Sequence, residues 1–256
     1  MRVAITGAAT GIGAAAVRRL KAAGHQIVAF DIAEPAGVDE WVPVDMSDMD
    51  AVARAAAGVA GPFDALINNA GLPPRADNAV PVLAVNVCGL IAMAVALEPK
   101  LAAGAAIVST ASRAGHAWRA NLDQVRALLA LPGPEALPAF VADRGMDPLR
   151  AYCLSKEAVI VWNIAQTERW LAQGLRGNTV SPSAVETGIL SDFKAAMGER
   201  AAKSIARAGR AGSADEIAAL ICFLAAPESG WIKGLDITAD GGMSAMAAAD
   251  ELGLVG

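Results

Sequence analysis

The stretch that decides the fold lies at the start of the chain, where residues 3–13 read VAITGAATGIG. Val3 to Thr6 is a short apolar run, typical of a buried parallel strand, and Gly7 ends it. Gly11 and Gly13 then open a helical pattern. A helix N-terminus offers free N–H groups and a positive dipole end, and glycines let a ligand come close to the backbone. The stretch predicts a strand, a glycine turn and a helix that bind the pyrophosphate of a dinucleotide.

The alternation of strand and helix continues along the chain. Further strands are predicted at Gln26 to Phe30, Trp41 to Val44, Ala65 to Ile67, Ala105 to Ser109, Leu175 to Val180 and Leu235 to Thr238. Helices are predicted at Ala14 to Ala23, Asp48 to Val59, Val80 to Leu101, Tyr152 to Gln173 and Ala214 to Ala225. This pattern indicates an α/β fold of the Rossmann type, a doubly wound parallel sheet in three layers. We interpret residues 1–256 as one domain.

Two long segments interrupt this alternation. Residues 118–150 contain two short helical patterns, Leu122 to Leu131 and Glu135 to Asp143, and residues 188–212 form the second segment. Both follow the carboxyl ends of predicted strands, where an open parallel sheet binds its ligand. We interpret 118–150 as a helical insertion before the helix at Tyr152, and 188–212 as a substrate-loop region. Pocket walls or lids and an oligomer contact are both open interpretations.

Composition and charge exclude several classes of protein. The net charge is -5 and no cluster of Lys and Arg is present, so nucleic acid is not expected as a partner. The apolar run Val80 to Leu97 is interrupted by Asn86 and is followed by charged residues, which favours a buried helix over a membrane span. His25 and His116 have no neighbouring ligands at metal spacing, so we predict no metal.

The three cysteines and the first residues of the chain indicate the compartment. Cys88, Cys153 and Cys222 are odd in number, far apart and in apolar contexts, as expected of core thiols in a reducing cytoplasm. The first strand begins at once, without the pattern of a secretory leader. We expect a cytoplasmic protein.

Asp31 follows the second predicted strand, 20 residues after Gly11. A carboxylate at this point can accept hydrogen bonds from both ribose hydroxyls of NAD and would repel the 2′-phosphate of NADP. A helix cap or a solvated loop acid is the structural alternative. The glycine spacing, G-x-x-x-G-x-G, differs from the generic dinucleotide fingerprint and does not exclude S-adenosylmethionine.

Tyr152 is the only tyrosine, and Lys156 follows it by one helical turn. Residues four apart share a helix face, so the two side chains can converge. We expect the ammonium of Lys156, together with a nicotinamide ring, to lower the pKa of Tyr152 and make the phenol a general base.

Ser112 and Asn86 are two further polar residues in apolar surroundings. Ser112 lies just past a predicted strand, where its hydroxyl can bind a substrate oxygen or simply form a turn. Asn86 lies within a predicted apolar helix, where asparagine is disfavoured. Its amide would either satisfy a neighbouring strand or organise a chain of waters.

Together these residues resemble the short-chain dehydrogenase/reductase family over nearly the whole chain. Asn86, Ser112, Tyr152 and Lys156 match its catalytic tetrad, in which the resemblance implies that Lys156 also binds the nicotinamide ribose and Asn86 holds a relay water. The resemblance implies NAD as cofactor. The residues it assigns to cofactor binding are Gly7, Thr10, Gly11, Ile12, Gly13, Asp31, Asp45, Met46, Asn69, Ala70, Gly71, Tyr152, Lys156, Pro182, Val185 and Thr187.

Two departures from the family pattern are present. Pro182-Ser183 stands where the family has Pro-Gly, which adds a side chain beside the nicotinamide. The insertion 118–150 makes the spacing from Ser112 to Tyr152 about three times the usual one. The insertion is similar to that of the branch containing bacterial 3α-hydroxysteroid dehydrogenase/carbonyl reductase and coniferyl-alcohol dehydrogenase.

The sequence therefore predicts an NAD-dependent oxidoreductase that interconverts an alcohol and a carbonyl compound, of hydroxysteroid or aromatic-alcohol type, and that forms a homo-oligomer. Apolar residues considered for the substrate pocket, each also explained by core packing, are Trp118, Trp162, Leu190 and Phe193. A non-catalytic NAD sensor and a methyltransferase are the alternatives, and neither explains Ser112, Tyr152 and Lys156 together.

Overall fold

The computed structural model describes residues 1–188 and 190–254. A seven-stranded sheet has the order β3-β2-β1-β4-β5-β6-β9, and all of its neighbouring strands are parallel. Its strands are β1 Arg2–Thr6, β2 Gln26–Asp31, β3 Glu40–Pro43, β4 Phe63–Asn68, β5 Leu101–Thr110, β6 Arg176–Pro182 and β9 Asp236–Ala239. A separate parallel pair joins β7 Val185–Glu186 to β8 Gly212–Ser213. This topology confirms the predicted doubly wound α/β fold.

Helices cover both faces of the sheet because successive strand residues point to opposite sides. On β1, Val3 and Ile5 pack in one apolar cluster with α1 and α10, whereas Ala4 packs in the cluster on the other face. The helices are α1 Gly11–Ala22, α2 Met49–Gly58, α3 Ala79–Leu83, α4 Leu90–Leu97, α5 Leu122–Leu129, α6 Leu137–Ala142, α7 Pro148–Ala172, α8 Leu190–Met197, α9 Glu199–Ala208, α10 Ala214–Ala225 and α11 Met243–Glu251.

A single long helix, Ala79–Lys100, contains α3 and α4 with a π-helical turn, Ala84–Gly89, between them. It is apolar and long enough to cross a membrane, but 61% of its most apolar window is buried inside the protein. Leu90, Met93 and Leu97 lie in the core against the sheet. The predicted buried helix is confirmed, and the π turn was not predicted.

The insertion 118–150 folds back onto its own chain. Val125 and Leu128 of α5 and Leu137 and Phe140 of α6 are buried in a third apolar cluster, together with residues of α3 and α7. Tyr152 belongs to the same cluster. The apolar faces of the insertion are therefore buried against the body of this chain, and they extend its core up to the predicted catalytic helix.

The predicted substrate-loop region, 188–212, contains α8, α9 and the first residue of β8. Residue 189 and the side chain of Phe193 lie outside the described part of the chain. Arg207 of α9 forms an ion pair with Asp250 of α11, with the guanidinium Nη1 2.6 Å from the carboxylate Oδ2. The C-terminal helix, which was not predicted, is thus attached to this region.

Candidate active site

The glycine turn joins β1 to α1 through close backbone contacts. A Cβ on Gly13 would overlap the carbonyl oxygen of Gly7, and a Cβ on Gly7 would lie 2.6 Å from Cα of Ala70. Gly7 and Gly11 also have positive φ angles, which glycine adopts without strain. Thr10 is the N-cap of α1, but its side chain makes no capping hydrogen bond. The first N–H groups of α1 are therefore not capped by a side chain, as a phosphate cradle requires.

Asp31 lies beside the glycine turn, at the carboxyl end of β2. Its Oδ2 accepts a hydrogen bond from the Ala9 N–H at 2.9 Å, and its Oδ1 accepts one from the Ala33 N–H at 3.1 Å. These contacts fix the carboxylate next to the turn. They agree with the predicted binding of a ribose, and they show that Asp31 does not cap a helix.

Two predicted adenine contacts follow β3. Asp45 is exposed and accepts hydrogen bonds from the N–H and hydroxyl of Ser47, at 2.8 and 2.7 Å. Met46 is 5% exposed. A Cβ on Gly89, in the π turn, would overlap the Met46 carbonyl oxygen, so the long helix approaches this loop closely.

The end of β4 is attached to the glycine turn by polar side chains. The Asn69 amide donates to the Gly7 carbonyl at 2.9 Å and accepts from the Thr110 hydroxyl at 3.2 Å. The Thr6 hydroxyl accepts from the N–H groups of Asn69 and Ala70, at 3.0 and 3.1 Å. The residues predicted to contact the cofactor on β1 and β4 are thus brought together.

Asn86 lies in the π turn and is 1% exposed. Its Oδ1 accepts from the Leu72 N–H at 2.7 Å, and its Nδ2 donates to the Leu72 carbonyl at 3.1 Å and to the Ser155 hydroxyl at 3.2 Å. These contacts match the first of the two roles predicted for this amide, although Leu72 follows β4 instead of lying within it, and the role in a chain of waters stays a prediction. A Cβ on Gly71 would lie 3.2 Å from Asn86 Oδ1 and 3.7 Å from Lys156 Nζ, so these groups are neighbours.

Ser112, Tyr152 and Lys156 also meet. Tyr152 shares a hydrogen bond with Ser112, although the insertion separates the two residues in sequence. Lys156 Nζ lies 5.7 Å from the centre of the Tyr152 ring and donates to the Thr110 carbonyl at 2.9 Å. The Ser112 hydroxyl accepts from the Ala114 N–H at 3.1 Å, so this serine caps the short 3-10 helix Arg113–Arg119. The turn-forming interpretation of Ser112 and the catalytic one are therefore compatible.

Burial controls the ionisation of the two titratable groups. It raises the pKa of Tyr152 well above 10, and the hydrogen bond to Ser112 opposes this only in part. The predicted lowering of this pKa requires the nicotinamide ring as well as the ammonium of Lys156, and it stays a prediction for the protein with NAD bound. Burial also lowers the pKa of Lys156 to about 8.

The residues after β6 complete the arrangement. The Pro182 carbonyl lies 3.5 Å from the Ser112 hydroxyl, and Val185, in β7, is 9% exposed. The Thr187 methyl would lie 3.3 Å from a Cβ on Gly11, so this threonine faces the glycine turn. The hydroxyl of Ser183, where the family has glycine, is 3.3 Å from the Met243 sulfur and therefore points towards the start of α11.

Two of the four apolar pocket residues belong to the core. Trp162 is 7% exposed and packs edge-to-face on Trp170, with ring centres 5.3 Å apart. Trp118 packs against the same cluster, with the Arg119 guanidinium over its ring. Leu190 is partly buried at the start of α8.

Sequence reasoning missed three polar residues that hold the site together: Thr6, Thr110 and Ser155. Thr110 anchors both Asn69 and Lys156, and the Ser155 hydroxyl donates to the Tyr152 carbonyl at 2.7 Å as well as accepting from Asn86. The polar run that ends β5, Ser109-Thr110, is the signal that could have indicated Thr110.

Comparison with known proteins identifies the family. A family model described as short chain dehydrogenase matches residues 1–123, and one described as Enoyl-(Acyl carrier protein) reductase matches residues 136–244. Coniferyl-alcohol dehydrogenase of Pseudomonas sp. (strain HR199 / DSM 7063) is 33% identical, over 95% of this chain and 96% of the relative. The chain belongs to the short-chain dehydrogenase/reductase family. It is an oxidoreductase acting on an alcohol or a carbonyl compound, and the methyltransferase alternative is wrong.

Two further relatives agree with this assignment. The 3-alpha-hydroxysteroid dehydrogenase/carbonyl reductase of Comamonas testosteroni is 33% identical, over 95% of this chain and 96% of the relative. The crystal structure of 3-alpha-hydroxysteroid dehydrogenase from Pseudomonas sp. B-0831, complexed with NADH, superposes with a TM-score of 0.87 at 32% identity, covering 97% of this chain and 99% of that one. The two family-model matches leave residues 124–135, in the insertion, between them.

Proposed function

We propose that the protein is an NAD-dependent dehydrogenase that interconverts an alcohol and a carbonyl compound, with Tyr152 as general acid and base. One observation carries the proposal: the phenol of Tyr152 shares a hydrogen bond with Ser112 while the ammonium of Lys156 lies one helical turn away, all in a buried site. A protein that only senses NAD has no need of this arrangement.

Each of these groups has a task that follows from its contacts. The Ser112 hydroxyl donates a hydrogen bond to the substrate oxygen as charge develops there. Tyr152 passes a proton to that oxygen during reduction and takes it back during oxidation. Because burial keeps the phenol protonated, its resting form suits reduction. Oxidation needs the phenolate, which the hydrogen bond from Ser112 favours and which we propose the ammonium of Lys156 stabilises when NAD is bound. Asn86 positions the backbone at Leu72 beside this site.

The chain's own residues fit a dinucleotide. The glycine turn and the uncapped N-terminus of α1 would hold the pyrophosphate, Asp31 the adenosine ribose, and Lys156 the nicotinamide ribose. The remaining contacts that we propose are Asp45, Met46, Asn69, Ala70, Gly71, Tyr152, Pro182, Val185 and Thr187. Bound NAD supplies the hydride chemistry at its nicotinamide ring.

We predict a preference for NAD over NADP. The described residues next to Asp31, from Ala8 to Thr10 and from Ile32 to Ala33, include no basic side chain. No positive charge there could therefore bind the 2′-phosphate of NADP. The kcat/KM ratio of the two cofactors measures the preference, which we expect to exceed about tenfold. The double change Asp31→Ala and Ile32→Arg should reduce or reverse it. Equal use of both cofactors by the unmodified protein would contradict the prediction.

The substrate that we propose is a small apolar molecule, either a hydroxysteroid or an aromatic alcohol, or the corresponding carbonyl compound. Both of the relatives described above act on such molecules according to their names, which supports the proposal. We also propose that the protein is cytoplasmic, binds no metal and forms a homo-oligomer. Large exposed side chains near the outer edge of the sheet, Trp231 and Leu235, favour contact with a second copy.

The replacement Tyr152→Phe tests the proposed function. We expect turnover to fall at least about 100-fold while the Kd for NAD changes less than about twofold, because the phenol acts on the substrate and the glycine turn holds the cofactor. The neighbouring Cys153→Ala variant is the control, and it should keep the turnover of the unmodified protein. If Tyr152→Phe retained turnover within about tenfold, the proposed role of Tyr152 would be wrong. A protein that binds NAD but oxidises no alcohol in a broad panel would support the sensor instead.

A further inference from the structure

A cavity of about 480 Å³ lies where three segments of the chain meet. Its walls are residues 74–76, the start of α7 at Asp147 and Leu149, and α8 at Asp192 and Ala196. Most of its lining is apolar, including Pro74, Pro148, Leu149 and Ala196.

Each wall is joined to the candidate active site by a few residues. Pro74 follows Gly71, which adjoins Asn86 and Lys156, by three residues. Leu149 precedes Tyr152 by about one helical turn. Asp192 follows Thr187, which faces the glycine turn, by five residues. The cavity is therefore walled by continuations of the same three segments that carry these site residues, and we take it as the route of the substrate.

The described residues that line this cavity include three charged ones, namely Arg75, Asp147 and Asp192. Arg75 Nη2 lies 2.9 Å from Asp192 Oδ2, so an ion pair crosses from the loop after β4 to α8. The Asp147 carboxylate caps α7 by accepting from the Arg150 N–H at 2.7 Å. Among the described lining residues, Asp192 neutralises the guanidinium and Asp147 adds a second carboxylate that is not paired with a cation of the lining.

The position of Arg75 does not depend on Asp192 alone. The Arg75 N–H donates to the Asn78 side-chain oxygen at 2.9 Å, and the Asn78 amide donates to the Pro73 carbonyl at 2.9 Å. The loop therefore holds its shape through its own hydrogen bonds. Asp192 has 23% of its side chain exposed and Arg75 has 57%, so the guanidinium can bind another anion if Asp192 no longer occupies it.

We propose that Arg75 and Asp192 determine specificity by forming a charge filter at the mouth of the substrate cavity. The ion pair removes the only cationic group that the described lining offers to an anion, and Asp147 repels a second negative charge. Uncharged alcohols and carbonyl compounds enter, whereas molecules that carry a carboxylate are rejected. This inference rests on the proposed function, because it takes the cavity as the route of the alcohol.

The test compares two substrates of the same shape, 4-(hydroxymethyl)benzamide and the anionic 4-(hydroxymethyl)benzoate. The ratio of their kcat/KM values is measured with NAD for the unmodified protein and for three variants: Asp192→Asn, Arg75→Gln and the control Asp250→Asn. The control removes one acid from a comparable exposed ion pair, with Arg207 of α9, that does not line the cavity. Binding of both compounds to the protein loaded with NADH is also measured by calorimetry.

We expect the unmodified protein to favour the amide by about tenfold or more, because repulsion between the substrate carboxylate and one carboxylate of the lining, that of Asp147, has roughly this effect at short range. Asp192→Asn frees the guanidinium and should reduce that ratio by at least about tenfold, whereas Arg75→Gln should increase it and Asp250→Asn should leave it unchanged. An unmodified protein that favours the carboxylate, or a ratio that neither cavity variant changes, would overturn the filter.

The calorimetric measurement separates failure of the filter from failure of the proposed function. If no alcohol is oxidised but Asp192→Asn still strengthens binding of the benzoate relative to the benzamide, the filter is supported and the proposed reaction is wrong. If alcohols are oxidised and the variants bind both compounds as the unmodified protein does, the reaction stands and the filter is wrong.

Discussion

The two sides of the active site are built in different ways. On the cofactor side, backbone groups approach each other closely, Gly13 against the Gly7 carbonyl and Gly7 against Ala70, in addition to the side-chain hydrogen bonds described above. On the substrate side, the insertion is joined to α7 by side chains. The Glu157 carboxylate, 1% exposed, accepts hydrogen bonds from Asn121 at 2.7 Å and from the Arg150 guanidinium at 2.8 Å.

This difference explains why the contacts of the cofactor side can be predicted from the sequence more easily than those of the substrate side. Close backbone approach requires glycine at fixed positions, so the requirement is visible in a short stretch of sequence. Side-chain networks and apolar faces can be satisfied by many residues from distant segments. The three predictions that follow test whether the two sides also respond differently to mutation.

The largest effect is expected on the cofactor side, from Gly13→Val. The new side chain would overlap the Gly7 carbonyl and approach the Asn69 amide, so the turn cannot keep its shape. We expect NAD binding to weaken at least about 10,000-fold, or about 5.5 kcal/mol, as measured by calorimetry, because the backbone can no longer approach the pyrophosphate.

The matched control for this variant is Gly58→Ala at the end of α2, where a Cβ would meet nothing within 4 Å. It should leave NAD binding unchanged and raise the free energy of unfolding by up to about 1 kcal/mol. If Gly13→Val bound NAD with the affinity of the unmodified protein, the close backbone contacts of the cofactor side would not be required for binding.

A smaller effect is expected on the substrate side from Glu157→Ala. The change leaves the Arg150 guanidinium and the Asn121 amide without their buried acceptor, and we expect a loss of about 4 kcal/mol in the free energy of unfolding. Urea unfolding measures this. The exposed pair of Arg126 with Asp123 is the control, and Asp123→Ala should have no measurable effect. Equal free energies of unfolding for the two variants would show that the buried hydrogen bonds of Glu157 do not stabilise the packing of the insertion on α7.

The smallest effect is expected from Lys156→Met, and it depends on pH. Burial lowers the pKa of Lys156 from 10.5 to about 8, so the unfolded chain binds the proton more tightly than the folded chain. This group therefore makes the free energy of unfolding rise with pH between about 8 and 10.5, by up to about 3 kcal/mol, and contributes no further change above that range.

The Lys156→Met variant should lack this rise in stability. The three partly buried thiols and the Tyr152 phenol, whose pKa values are raised, act with the opposite sign in both proteins and cancel in the comparison. Urea unfolding at several pH values from 7 to 10.5 provides the two curves. Parallel curves would mean that Lys156 is charged in the folded protein throughout this range.

The strands and helices of the sheet could be predicted because their apolar periods are local properties. That Ser112, Tyr152 and Lys156 lie close together could be predicted from the helical spacing of Tyr152 and Lys156 and from the family resemblance, whereas the roles of these residues and of Asp31 stay predictions. The contacts of the insertion could not, because Val125 and Phe140 give the same pattern whether they face this chain, a partner or a substrate. The pKa of Tyr152 depends on burial by residues far away in sequence, and α11 has too weak a pattern to be separated from a loop.

The π-helical turn at Ala84–Gly89 has a consequence for protein engineering. The turn connects two halves of one long helix. Val82 and Leu83 in the first half pack with the insertion, and Met93 and Leu97 in the second half pack against the sheet. Deleting one residue here to restore a regular α-helix would rotate one end relative to the other by about 100°. A chimera that moves the insertion into a relative must therefore include residues 79–89 as well. Otherwise α5 and α6 would pack against a helix whose apolar residues face in a different direction.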